Sequence, residues 1–127
     1  MKILKIFLLL SSLFLFLNAD DDKYKHSYKN LDYLELNTQQ IVKMKEILID
    51  FKHQYKEFYE FKEDQEDKLK DILKDDIFDE NLYLKILNEI KLKASLLELQ
   101  RMKKIHTILD EKQRKKFSKY LKEWEVE

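Results

Sequence analysis

The chain has 127 residues, 25 of them basic and 25 acidic, giving a formal net charge of zero, and it contains no glycine, proline or cysteine. The missing cysteine excludes disulfides, thiol catalysis, thiolate metal sites and a lipid anchor on a cleavage-site cysteine; the missing glycine excludes a phosphate-cradling loop; the balanced charge lacks the basic excess of a nucleic-acid footprint. With the usual punctuation of turns and strands absent, an all-α fold is the economical reading, and a charged fraction of 39% suits a thin helical protein with much surface for its mass.

The first segment reads as a secretory signal peptide. Lys2 and Lys5 form a basic start, Ile6 to Leu17 is apolar apart from Ser11 and Ser12, and Leu17-Asn18-Ala19 ends on a small residue. Cleavage after Ala19 is expected, because the apolar run is shorter than the roughly 20 residues a membrane span needs. Loss of residues 1–19 leaves 23 basic against 25 acidic residues, a formal charge of −2. Residues 20–35 open on Asp20-Asp21-Asp22 and show little apolar periodicity, so they read as a mobile tail. An all-helical domain is expected over residues 36–127.

That domain begins on Leu36-Asn37-Thr38-Gln39-Gln40. Asn37 favours the N-cap, and Gln40 three positions on can return a side-chain bond to the Asn37 backbone, as in a capping box. Leu36 and Ile41 have the spacing of a hydrophobic staple. Ile41, Met44, Leu48, Phe51, Tyr55 and Phe58 then recur three and four apart, and the same phase reaches Leu69 and Ile72. Lys62 and Gln65 occupy seam positions between them. The pattern supports one long helix or two that meet at a weak joint near Phe61 to Asp67.

Asp75, Asp76 and Asp79 surround Ile77 and Phe78, where the chain is expected to reverse, with Asp79 capping the next helix. That helix runs from about Glu80 to Thr107, with Leu82, Ile86, Ile90, Leu97, Met102 and Ile105 on or near its buried side. Leu109-Asp110-Glu111-Lys112-Gln113 then repeats the first motif. Asp110 caps a short last helix in which Phe117, Tyr120, Leu121 and Trp124 recur at helical spacing, Trp124 as a packing anchor. Arms of about 40 to 55 Å are too long for so few helices to close a thick core, so a homodimer is expected.

Two such motifs bracketing a helical hairpin resemble the Spy/CpxP family of small periplasmic proteins, whose hallmark is a repeated L-T-x-x-Q. Asn37 and Asp110 stand where the family has threonine, which keeps the capping chemistry. The likeness runs from about Leu36 to Trp124 and is carried by Leu34–Gln40, by Asp71-Ile72-Leu73 with Ile77-Phe78-Asp79, and by Ile105–Phe117. The resemblance implies a cradle of about four helices, bent near Phe61, forming a thin antiparallel homodimer. It also implies ATP-independent chaperoning of unfolding envelope proteins or, alternatively, docking on the periplasmic sensor domain of a membrane histidine kinase.

On a helical wheel Phe51, Tyr55, Phe58, Tyr59 and Phe61 span about 160°, wider than the roughly 100° of a core-facing stripe. Surplus aromatic surface of this kind suits partly folded chains. Lys45, Lys52 and Lys56 line one edge of the same helix, with Lys70 and Lys74, while Glu46, Asp50, Glu57, Glu60, Asp64 and Asp71 lie on the far side. The aromatics and the first three lysines are thus the candidate client-binding residues. Catalytic residues are not expected: Ser27, Ser95 and Ser118 lack nucleophile context, and no cofactor motif is present. Metal sensing or buffering is the weakest reading. His26, His53 and His106 are far apart, and only His53 and His106 are placed to meet across the hairpin or a dimer.

Overall fold

A computed structural model describes residues 31–127. The expected signal peptide and most of the expected tail fall outside the described residues. Within them every regular element is helical: α1 spans Thr38–Lys74, α2 spans Glu80–Ile108 and α3 spans Glu111–Ser118, flanked by 3-10 turns at Asp32–Leu34 and Leu121–Trp124. This is three α-helices among the described residues rather than about four. The difference lies in α1, which runs 37 residues without interruption through the expected joint. Lys62 and Gln65 weaken the apolar seam, but no glycine, proline or insertion breaks the backbone ladder, and a polar seam residue alone does not stop a helix.

Helix starts follow the capping chemistry. Gln40 N donates to Asn37 Oδ1 at 2.9 Å and Asn37 N donates to Gln40 Oε1 at 3.0 Å, a complete capping box. Asp110 and Gln113 repeat it, at 2.8 and 2.9 Å. Leu82 N donates to Asp79 Oδ1 at 3.1 Å, which caps α2. Leu36 and Ile41, the expected staple pair, are both buried in one cluster.

α1 and α2 pack side by side as a hairpin joined by Asp75–Asp79. Its apolar interior is divided. A base core gathers Leu34, Leu36, Ile41, Met44 and Leu48 with Ile105, Leu109, Phe117 and Trp124, whereas a smaller tip core holds Leu69, Ile72 and Ile86. Trp124 is therefore a packing residue, its ring 5.2 Å from that of Phe117. Leu82, expected near the buried side of α2, is exposed instead.

The ordered fold also begins earlier than Leu36. Leu31, Leu34 and Leu36 are buried in the base core, so the expected tail is corrected over residues 31–35. The 3-10 turn and the following reversal hide this from a search for helical periodicity. Glu35 adopts φ 51° and ψ 49°, a left-handed conformation that costs a non-glycine residue roughly 1–2 kcal/mol, and it turns the chain so that Leu34 and Leu36 both enter the core.

Candidate functional site

Both repeated motifs meet in space. The carboxamides of Gln40 and Gln113, 73 residues apart, bond reciprocally: Gln40 Nε2 donates to Gln113 Oε1 at 2.7 Å, and Gln113 Nε2 donates to Gln40 Oε1 at 3.1 Å. Each amide also donates outward, Gln40 to Ile108 O at 2.7 Å and Gln113 to Leu34 O at 3.1 Å. Each Oε1 meanwhile accepts from its own cap residue. Every donor and acceptor site of both side chains is used, which glutamate at either position cannot achieve because it brings no N–H. Asn37, Gln40, Asp110 and Gln113 thus form a polar clasp over Leu36 and Leu109, both buried, and tie the first turn of α1 to the α2–α3 junction. Its Ile108 contact also satisfies a carbonyl left open where α2 ends.

The candidate client-binding aromatics have different fates. Phe51 is buried in the interior and Phe58 is buried except where its edge reaches the wall of an open trough between the arms, while Tyr55, Tyr59 and Phe61 are half-buried. The excess aromatic width expected from the wheel is largely absorbed by packing: the Phe51 and Tyr55 rings lie 5.9 Å apart, and those of Tyr55 and Phe58 6.1 Å apart. Burial raises the Tyr55 pKa, helped by Tyr59 and Glu127. Lys45 and Lys56 are exposed and Lys52 is half-buried.

Arg101 was not foreseeable as an interior residue. It is 3% exposed, its guanidinium lies 3.9 Å from the Phe51 ring centroid and 5.1 Å from that of Trp124, and its Nη2 donates to the Trp124 carbonyl. The arginine fastens the C-terminal 3-10 turn to both arms. A long cation is by default read as outward-facing, and nothing local in the sequence marks this one as an exception.

Two open depressions between the arms, about one turn apart and lined by the same stripes of α1 and α2, together make a shallow trough along one side of the hairpin. Phe58, Phe61, Leu96 and Leu97 line it near its middle, and Lys93 Nζ sits 3.7 Å from the Phe61 ring centroid. Further along, it passes Gln65, Ile72, Leu82 and Ile86 toward the tip. Carboxylates and ammonium groups of Glu57, Lys68, Asp71, Lys85 and Glu89 alternate on its rim. Leu73, Ile77 and Phe78 are exposed at the tip itself, Ile77 to 85%. The exposed leucines of α2 were missed in the sequence because apolar residues recur all round that helix, which blurs the single stripe that marks a buried face.

His53 and His106 are both exposed, and the described residues contain no group of three side chains suited to hold a metal ion. No described helix is long and apolar enough to cross a membrane. Comparison with protein-family models, with characterised proteins and with solved structures yields no match. Likeness to the Spy/CpxP family therefore rests on the sequence motifs.

Proposed function

We propose that this protein is an ATP-independent holdase of the Spy/CpxP type, exported to the periplasm, that shields unfolding envelope proteins. The observation that carries this reading is the open apolar trough between the arms, to which exposed Leu73, Ile77 and Phe78 add separate apolar surface at the tip. A surface that is long, shallow and rimmed by both signs of charge favours many weak contacts over one shaped ligand. Client contact is assigned to Phe61, Lys93, Leu96 and Leu97 in place of the buried Phe51 and Phe58. Over most of its length the hairpin is only two helices thick, which supports pairing with a second copy as an antiparallel cradle. Sedimentation equilibrium tests that part, and a monomer at micromolar concentration removes it.

Chaperoning is tested by light scattering from a reduced or heated client over several protein ratios and two salt concentrations. Suppression of aggregation for unrelated clients, weakened by Phe61→Ser with Leu96→Ser, is the expected result. No suppression at excess overturns the holdase reading. A single saturable partner among kinase sensor domains then becomes the reading to pursue.

A further inference from the structure

The trough between the arms is bounded at both ends, and its walls are helix faces. Phe58, Phe61, Gln65 and Ile72 line it on α1, and Leu82, Ile86, Lys93 and Leu97 on α2, each set stepping by three, four or seven residues along one stripe. Toward the base it ends at Gln54 and Gln100. One turn beyond them Lys104 Nζ reaches Asp50 Oδ2 at 3.0 Å, and Gln54 Nε2 donates to the same oxygen at 3.2 Å, a polar bridge from arm to arm. Toward the tip it ends at Asp75 and Leu82. From Gln54 to Asp75 the chain rises about 32 Å, the length of a helix of roughly 20 residues. Both signs of charge flank the apolar lining on both walls, Glu57, Lys68 and Asp71 on α1 and Lys85, Glu89 and Lys93 on α2.

Walls of this kind have no backbone groups to offer. The N–H and C=O groups of α1 and α2 are used along the helices themselves, and no strand edge is present among the described residues. An extended client pressed against them gives up water from its own backbone and finds no partner in exchange, whereas a helical client brings its backbone bonds with it. Groove geometry agrees, because two helices side by side leave a furrow into which the side-chain ridge of a third helix fits. At the base the chain supplies a third helix itself, and Phe117 of α3 enters the core shared by both arms. Along the trough no described residue plays that part.

We propose that the trough holds its clients as α-helices: an amphipathic segment of about 20 residues, with one apolar stripe flanked by both signs of charge, lies along it as the third helix of a temporary bundle. This rests on the holdase reading and narrows it to the kind of segment that is held. Charges beside the client's stripe meet the mixed charges of both walls as flanking positions do in a coiled coil. Proteins of many sizes and shapes contain such segments, so the preference fixes which part of a client is held, not which client.

The test uses the protein as recovered from cells and a labelled peptide of about 20 residues, mostly unfolded alone, with leucines at coiled-coil spacing among mixed Lys and Glu. An isomer of the same composition places the leucines at alternate positions, and a third peptide is the first one's N-terminal half. Affinity is read by fluorescence anisotropy and peptide conformation by difference circular dichroism. Protein variants are Phe61→Ser with Leu96→Ser in the trough, and Leu84→Gln, an exposed position of α2 outside it, each checked for cooperative melting. The helix-patterned peptide is expected to gain helix on binding and to bind about tenfold tighter than either other peptide; the trough pair weakens it about tenfold and Leu84→Gln leaves it unchanged. Equal binding of the two isomers, binding without gain of helix, or affinity that the trough pair retains overturns the proposal. A trough pair that alters only the oligomeric state, with no peptide bound by either protein, assigns the trough to a second copy and overturns it too. Aggregation suppression is scored on the same preparations. If suppression persists while the isomers bind alike, the helix preference fails and the holdase reading stands; if the helix-patterned peptide is preferred and no client is protected, the holdase reading fails and the helix site stands.

Discussion

Gln40 and Gln113 show how a single amide group can serve two levels of structure. Each Oε1 closes its own capping box, and each Nε2 closes the contact between the two boxes, so the four bonds between segments contribute about 1 kcal/mol apiece. Gln113→Glu keeps the cap and removes the donor, leaving a carboxylate against Leu34 O and Gln40 Oε1. Its expected cost is about 2–3 kcal/mol at neutral pH. The new carboxyl titrates above its unfolded value because neither neighbour accepts its charge, so the loss shrinks as pH falls and the acid recovers an O–H donor. Urea denaturation of both proteins at neutral and mildly acidic pH checks this, and a deficit that does not narrow in acid contradicts the donor argument. Tyr33 supplies a second test. Its hydroxyl has no hydrogen-bond partner among the described residues and its pKa is pushed up to about 12, by burial first and then by Tyr120 and Glu123. The raised folded value means that the fold holds this proton more tightly than the unfolded chain does. Its contribution is whole below pH 10 and is lost between about pH 10 and 12. Tyr33→Phe is expected to leave neutral stability unchanged or slightly raised and to flatten the alkaline decline, read from melting temperatures across that range.

At the scale of elements, local chemistry was the legible part. Asn37, Asp79 and Asp110 mark all three α-helix starts in the sequence, because a cap is decided within four residues. Pairing of Gln40 with Gln113 was not legible, since it joins residues 73 apart through side chains that a capping box already employs. Nor was the role of Leu31 and Leu34, which enter the core through a left-handed Glu35 instead of a helical repeat. The helix joint near Phe61 was expected from the resemblance in the sequence motifs and from Lys62 and Gln65 in the seam, yet α1 passes through it. Gln65 is 8% exposed and lies on the trough wall between the two cores. If its polarity merely weakens packing there, Gln65→Leu stabilises the hairpin by about 1 kcal/mol, raising the melting temperature by about 4–8 °C. An unchanged or lower midpoint in calorimetry instead gives the amide a favourable contact of its own.

The molecule as a whole is unevenly held. Ten buried residues and the glutamine clasp secure the base, where the first turn of α1, the end of α2, α3 and the C-terminal turn converge. Three buried residues secure the tip. Between the two cores the arms meet around Phe58, Ala94 and Arg101, and across the base half Lys104 Nζ reaches Asp50 Oδ2 at 3.0 Å, a half-exposed pair worth at most about 1 kcal/mol. Cooperative units form where buried apolar contacts are dense, so the base should open only with global unfolding while the tip opens on its own at lower free energy. Hydrogen exchange read by mass spectrometry is expected to give strongest protection at Met44–Leu48 and Ile105–Leu109 and weakest around Lys74–Tyr83, with Gln113→Glu lowering protection at the base until the contrast narrows. Uniform protection along both arms would mean that the two cores unfold as one. A graded result bears directly on the proposed activity, because separation of the arms at the tip widens the trough at Ile72 and Ile86 and adds apolar surface for a client of any shape. The clasp meanwhile keeps the chain from coming apart at its other end.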